Sequence, residues 1–320
     1  MFQKYFPILY TKMYNFDFLI LIVYYIQPRG IFMNVYNISK KELKNLILFN
    51  TISPNTEGQL FIFDKHNKWY KEKNLFKKFF IIEGETFSNK LYTINNLLEL
   101  KENCDINGLV LPNSLISVNH QIHGFSLPFI ENSSNYSEIQ KSSNITLEDK
   151  LNILKQYGTI LEKVHKYPNF YLGDIHEGNF LVDKLTGNIN IIDLDSCKIG
   201  NNNPFPSKYL NTNKIIHCLE SKYSLHDNGL YIQNKNTDFF CFIIMLLNTI
   251  SGINVNKLDI EDFYEYLSYL KTIGYESELI KQLGNIYINE ENYFDIDLLD
   301  YIPNNYRSSY KVFQYIKNKK

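Results

Sequence analysis

Gly173-Asp174-Ile175-His176-Glu177-Gly178-Asn179 is followed, fourteen residues after the Asn, by Asp193 in Ile191-Ile192-Asp193-Leu194-Asp195. These two stretches decide how the chain is read. They set two carboxylates and a carboxamide at the ends of two apolar runs, Phe180-Leu181-Val182 and Ile189 to Ile192. Between the runs lies Asp183-Lys184-Leu185-Thr186-Gly187-Asn188, rich in residues that form turns. A hairpin here brings the two ends together, so Asp174, Asn179 and Asp193 converge at one edge. Mg²⁺ is usually held by one or two carboxylates together with substrate phosphates, and this trio supplies that donor chemistry.

Phosphoryl transfer asks little covalent work of a protein. It needs a group to receive the proton of the attacking hydroxyl, and oxygen ligands for the metal that bridges the phosphates. An Asp five residues before an Asn, then a second Asp fourteen further on, meets that need. The segment resembles the catalytic loop and metal-binding Asp of the protein-kinase superfamily, in its bacterial Ser/Thr kinase form. The family pattern D-x-x-x-x-N falls on Asp174 and Asn179, and its D-F-G position falls on Asp193-Leu194-Asp195. The resemblance implies that Asp174 is the catalytic base and that Asn179 and Asp193 are Mg²⁺ ligands. Protein-kinase loops typically read H-R-D-[LI]-K-x-x-N. This chain has Leu172-Gly173 before the Asp and His176 where the Lys stands. G-D-[LI]-H-x-G-N is also similar to aminoglycoside and choline phosphotransferases. His176 is therefore a candidate for contact with phosphate or substrate.

Three further stretches extend the resemblance over roughly residues 45 to 315. Asn236-Thr237-Asp238 precedes the apolar run Phe239 to Leu247, and Ser251-Gly252 closes it. A polar start, apolar residues all round and a Gly stop predict a buried helix. In kinases the corresponding helix opens with an Asp that holds the catalytic-loop backbone, which assigns that supporting role to Asp238. Upstream, Thr146-Leu147-Glu148-Asp149 has the form of a capping box, and Leu147, Leu151, Leu154, Gly158, Leu161 and His165 recur at helical spacing. Further upstream, Gln59 to Phe63 and Lys68 to Lys71 read as strands joined by a turn at Lys65-His66-Asn67. The resemblance gives the second strand the Lys that pairs with ATP phosphates: Lys71, with Lys73 as fallback. Ser53 to Gly58 stands where the family has its glycine-rich loop, with Gly58 its one Gly. A helix is predicted from about Phe87 to Lys101. Where the family places a Glu on it, Asn89, Lys90 and Leu91 stand instead. Strand-like runs follow at Gly108 to Val118 and Gln121 to Phe125. Ser126 to Asn132 then resembles the linker between lobes, whose backbone near Phe129 and Ile130 receives the adenine.

The fold expected is thus α+β and two-lobed, with a small antiparallel-sheet lobe over 33–130 and a mostly helical lobe over 131–320. Its 320 residues suffice for that plan. Hydrophobic content is 44%, enough for an ordinary core, and the net charge is −1 with no basic stripe, so nucleic-acid binding is not expected. The four Cys fall in no metal-ligand spacing, and free thiols fit a reducing cytoplasm. Phe16 to Ile26 is apolar but carries Asp17, short of the roughly 20 apolar residues of a membrane span. Residues 1–32 are read first as a start-site extension, and otherwise as a short membrane anchor or signal-like segment.

The leading expectation is an ATP- and Mg²⁺-dependent kinase acting on Ser or Thr of a protein. The segment from Lys198 to Asn236 has room to dock a peptide. A small-molecule alcohol as acceptor is the second expectation, and a pseudokinase that binds partners without turnover is the third.

Overall fold

The computed structural model describes residues 34–49, 58–62, 74–202, 208–213, 231–288, 294–303 and 309–318. The protein is a mixed α+β fold. In chain order its strands are β1 (Val35–Ile38), β2 (Ile47–Leu48), β3 (Gly58–Ile62), β4 (Asn74–Phe79), β5 (Ser114–Val118), β6 (Gln121–Pro128), β7 (Ser133–Asn135), β8 (Phe170–Tyr171), β9 (Phe180–Asp183), β10 (Ile189–Ile191) and β11 (Lys198–Ile199). Its α-helices are α1 (Lys40–Lys44), α2 (Gly84–Asn103), α3 (Tyr136–Lys141), α4 (Leu147–Val164), α5 (Lys208–Thr212), α6 (Lys235–Ser251), α7 (Ile260–Thr272), α8 (Ser277–Gly284) and α9 (Ser309–Lys317).

The amino-terminal part is one six-stranded sheet in the order β1-β5-β6-β4-β3-β2. Its pairings are antiparallel except β1 with β5, which is parallel, so the sheet departs from the purely antiparallel one expected. Residues of β5 are buried on both faces, because side chains alternate across a strand. Leu115 joins the main core. Ile116 and Val118 instead form a smaller cluster with Ile38 of β1 and Phe76 of β4. Helix α2 is inserted between β4 and β5, and its Ile94 and Leu97 are fully buried in the main core beside Phe79 and Phe125.

The run expected as one strand from Gly108 to Val118 divides in two. Gly108 to Val110 pairs with β10, through Ile191 N donating to Gly108 O (2.7 Å) and Val110 N donating to Ile191 O (2.9 Å). Ser114–Val118 then enters the large sheet. Pro112 between them has no N–H to continue a ladder. This crossover ties the sheet to the hairpin that carries the candidate site.

The rest is built around α6. Every residue from Thr237 to Ser251 is buried, and Gly252 ends the helix at φ +71°, a conformation natural to Gly. The helix begins one turn earlier than its apolar run suggests. Asn234 is the N-cap, accepting from the backbone of Asn236 and Thr237, while the Thr237 hydroxyl accepts from Asn234 N. Helix α4 packs against α6 at Gly158, where an added Cβ would lie 2.2 Å from Ile296 and 3.2 Å from Phe242. Thr146 caps α4 as its sequence predicts, accepting from Asp149 N at 3.0 Å. Phe263, Tyr266, Leu267 and Leu270 make the buried face of α7. Among the described residues no helix is long and apolar enough to cross a membrane. Residues 1–33 lie outside them.

Candidate active site

The hairpin forms as the turn composition predicts. Strands β9 and β10 pair antiparallel with Phe180 opposite Ile191 and Val182 opposite Ile189. The Asp183 carboxylate accepts from Leu185 N (2.8 Å) and Thr186 N (2.9 Å), an Asx-type turn that begins the connection. At the open end, Ile192 N donates to Asn179 O at 2.9 Å. That bond sets the residue before Asp193 directly beside Asn179.

Asp174 and Asn179 meet. The Asn179 amide nitrogen donates to Asp174 O (2.9 Å) and to its Oδ2 (3.1 Å), which leaves Asn179 Oδ1 as an oxygen donor. His176 lies between them in the chain. Gly178 N donates to His176 Nδ1 at 2.9 Å, so in the neutral ring the proton sits on Nε2, 3.7 Å from Asp174 Oδ2. Gly178 has to be small for this: a Cβ there would lie 2.8 Å from His176 Cε1. The loop is braced from outside by Asn135, which sequence reasoning missed. Its Oδ1 caps α3 through Ser137 N (2.9 Å), and its Nδ2 donates to Gly178 O (2.7 Å). Asn at a helix start was the available signal, because one amide can cap with its oxygen and donate with its nitrogen. Glu177 bonds the Tyr209 hydroxyl on α5.

Asp238 is wholly buried in the first turn of α6. Its two oxygens accept from Leu172 N and Gly173 N, each at 2.8 Å, and Oδ2 also lies 2.9 Å from His165 Nε2. It is therefore not the helix cap. Its carboxylate fixes the backbone immediately before Asp174 and the end of α4 at once. Gly173 sits at φ +73°, and a Cβ on it would lie 2.0 Å from Gln233 Oε1. No side chain fits there, which accounts for a Gly in front of Asp174.

Asp193 adopts a left-handed backbone, φ 64° and ψ 34°. Non-Gly residues held in this region tend to cluster at functional sites. Its carboxylate meets Lys77 of β4. Lys77 also bonds Asp195 Oδ1 at 2.7 Å, and Lys90 of α2 bonds Asp195 Oδ2 at 3.0 Å. Burial works against the Lys77 ammonium, yet Asp193 and Asp195 hold its pKa above the usual lysine value. Burial likewise opposes charge on Asp195, and Lys77 with Lys90 outweighs it, holding the carboxyl below the usual range.

The lysine delivered to Asp193 is thus Lys77, whereas Lys71 and Lys73 lie outside the described residues. Gly58 opens β3 opposite Phe79, where a Cβ would lie 2.7 Å from Lys78 O. It serves close strand approach there. Strand β6 continues to Pro128, taking the first three residues expected of the linker. Phe129 packs edge-on against Phe49, with centroids 5.3 Å apart, and Ile130 O accepts from Ser133 Oγ at 3.1 Å. That carbonyl already has a partner. Most of the segment expected to dock a peptide, Lys198 to Asn236, lies outside the described residues.

Among the described residues no group of three or more His, Cys, Asp and Glu could hold a metal. The donors at hand are different in kind: Asn179 Oδ1, and the Asp193 carboxylate, whose side chain is 40% exposed. Hard oxygen donors of this sort suit Mg²⁺ completed by phosphate oxygens and water. No protein-family model matches the chain, and no curated protein is similar enough to match it.

Proposed function

We propose that this protein transfers the γ-phosphoryl group of ATP to a hydroxyl, within a two-lobed, kinase-like frame, and that Ser or Thr of a protein is the acceptor. One observation carries the reading. Lys77, from the large sheet, reaches Asp193 at the mouth of the hairpin whose other arm begins with Asp174 and Asn179. The reading is supported by a cation suited to phosphate, oxygen donors suited to a metal and a carboxylate suited to a hydroxyl proton, standing on or against the two arms of one hairpin. The helix between β4 and β5 and the buried α6 behind the loop support the same frame.

In this reading Asp174 accepts the proton of the attacking hydroxyl, and its Oδ2 is oriented by Asn179 Nδ2. Asn179 and Asp193 are the residues that would hold Mg²⁺, which would supply neutralisation of the charge that develops on the phosphoryl group. Lys77 takes the phosphate-facing role first expected of Lys71. Asp238 holds the Leu172-Gly173 backbone, so the loop is set before substrate arrives. His176 in place of a Lys favours a small-molecule alcohol as the second acceptor class.

The test is transfer from γ-labelled ATP by the pure protein, alone and with mixed protein and small-alcohol acceptors. Asp174→Ala should lower transfer by about 10³-fold while ATP binding persists. Asp193→Asn should weaken Mg²⁺-dependent ATP binding. Transfer and binding unchanged in both variants would overturn the reading, and the acceptor that takes label decides between the two classes.

A further inference from the structure

We propose that Asp195 is the positioning residue for Lys77, taking the place of the carboxylate that a kinase-like helix supplies, and that Lys90 on that helix serves to hold Asp195. The proposal rests on the kinase-like reading for its functional meaning, but its geometry stands apart from it. In kinases the strand Lys is paired with a Glu of the helix between the strands. Here that helix, α2, presents Lys90, and the anion has moved to the turn after Asp193.

The positions fit no other role for Asp195 as well. Its side chain is 1% exposed, and each oxygen is occupied by an ammonium: Oδ1 by Lys77 at 2.7 Å and Oδ2 by Lys90 at 3.0 Å. A metal ligand needs an oxygen open to the metal, and both are taken. Lys90 binds this turn at two further points, and its helix is held there at a third. It donates to Asp195 O (3.1 Å) and to Ser196 Oγ (3.3 Å), and α2 is fastened alongside by Asn202 Nδ2 donating to Thr93 Oγ1 at 2.6 Å. Asn202 also bonds Ile199 N (2.7 Å) and Cys197 O (3.0 Å), so helix and turn form one unit. Lys77 therefore lies between two carboxylates of different kind. Asp193 is partly exposed and free to turn to a metal. Asp195 is enclosed and cannot leave. An enclosed anion beside the lysine keeps its ammonium in place when Asp193 is drawn elsewhere.

Competitive amine labelling of native protein, read peptide by peptide, tests this without any turnover. Lys77 should label several-fold faster in Asp195→Asn than in the natural protein, because its ammonium loses the enclosed partner that holds it away from the reagent. In Lys90→Met, which keeps the stem but not the charge, Lys77 labelling should rise by a smaller factor. This variant retains the Thr93–Asn202 attachment and serves where Asp195→Asn fails to fold. Lys77 labelling unchanged in a folded Asp195→Asn or Lys90→Met protein would overturn the proposal and assign the lysine to Asp193 alone. In the transfer assay Asp195→Asn should lower kcat by about a hundredfold, the scale of an ångström-sized misplacement. Lys77→Met should lower it by a similar factor, and the double variant should be no worse than the single ones. Additive losses would also overturn the proposal. Absence of any transfer in the natural protein would sink the kinase-like reading and leave the labelling result to judge Asp195.

Discussion

The hairpin loop and the large sheet contribute to the same site by opposite means. The loop from Leu172 to Asp193 is fixed by close neighbours: an Asx-type turn at Asp183, a cap of His176 by Gly178, and a bond from Ile192 to Asn179. Distant groups finish it: Asp238 holds Leu172 N and Gly173 N, and Asn135 holds Gly178 O. The sheet contributes Lys77 by register. Its position follows from Phe76 facing one core and Phe79 the other, and from β4 lying between β3 and β6. Nothing local marks Lys77, whose carboxylate partners are 116 and 118 residues away in sequence. A locally determined element tolerates change at a distance. A register-determined one fails when its neighbour moves.

The severest way to break this contrast is to remove the distant group that holds the loop backbone at two successive positions. Asp238→Ala would leave Leu172 N and Gly173 N buried without an acceptor, and His165 without its carboxylate. Stranded buried donors at this number should cost about 3–5 kcal/mol. Transfer activity should disappear with it. Chemical denaturation with tryptophan or tyrosine emission measures the first effect. A loss under about 1 kcal/mol would mean that the loop holds itself, and would make the local bonds the dominant ones.

The corresponding blow to the sheet falls at Gly124. It lies on β6 opposite Lys78, and a Cβ there would be 2.0 Å from Lys77 O and 2.7 Å from the Phe76 ring. Both obstacles are in the heart of the sheet and neither is a flexible tip. Gly124→Ala should therefore push β6 from β4, costing about 2–3 kcal/mol as overpacking does. Because Lys77 is on the displaced strand, transfer should fall more than stability alone explains. Equal stability loss with full activity would show that Lys77 is not delivered by register.

This division is what the amino-acid sequence could and could not reveal. The hairpin, the Thr146 cap and the Gly252 stop are written in short-range chemistry, and all three form. Strand β4 is not written that way. Asn74-Leu75-Phe76 are buried in succession and Lys77-Lys78 adjoin, so the period of two that marks a half-buried strand is absent. The earlier Lys68 to Lys71 run offers the strand formers Trp69 and Tyr70 directly after a turn signal, so Lys71 is the more legible candidate in sequence. Asp195 is hidden for a related reason. No local pattern ties it to Lys77 or Lys90, which stand 118 and 105 residues away in sequence. Its two lysine partners became apparent only through tertiary structure.

A milder change sharpens the picture inside the loop. Gly178 has an ordinary backbone conformation, so Gly178→Ala strains nothing but the space beside His176, whose ring would have to turn from 2.8 Å contact. The stability cost should be near 1 kcal/mol or less. The useful reading is activity compared with His176→Gln. If the His176 ring orients Asp174, both changes should lower transfer by a like factor with Mg²⁺-ATP affinity retained. A Gly178→Ala protein with normal transfer beside an impaired His176→Gln protein would free the histidine from its Gly178 cap and assign its function to some other contact.

The smallest effect belongs to the signal easiest to read. Thr146 accepts from Asp149 N at 3.0 Å and donates its hydroxyl proton to Asp149 Oδ2 at 2.7 Å, and the sequence announced this cap. Thr146→Ala should cost about 1 kcal/mol, the usual scale of a lost N-cap, with transfer unchanged. Helix α4 can absorb that because its position is decided elsewhere, by eight buried residues from Leu147 to Val164 and by Gly158 against Ile296 and Phe242. The order of effects thus runs against the order of legibility. Caps and turns name the elements, while a wholly buried Asp238 and a crowded Gly124 hold them in place. A Thr146→Ala protein losing 3 kcal/mol or more would reverse that order, and would show α4 to be held by its first turn instead of its buried face.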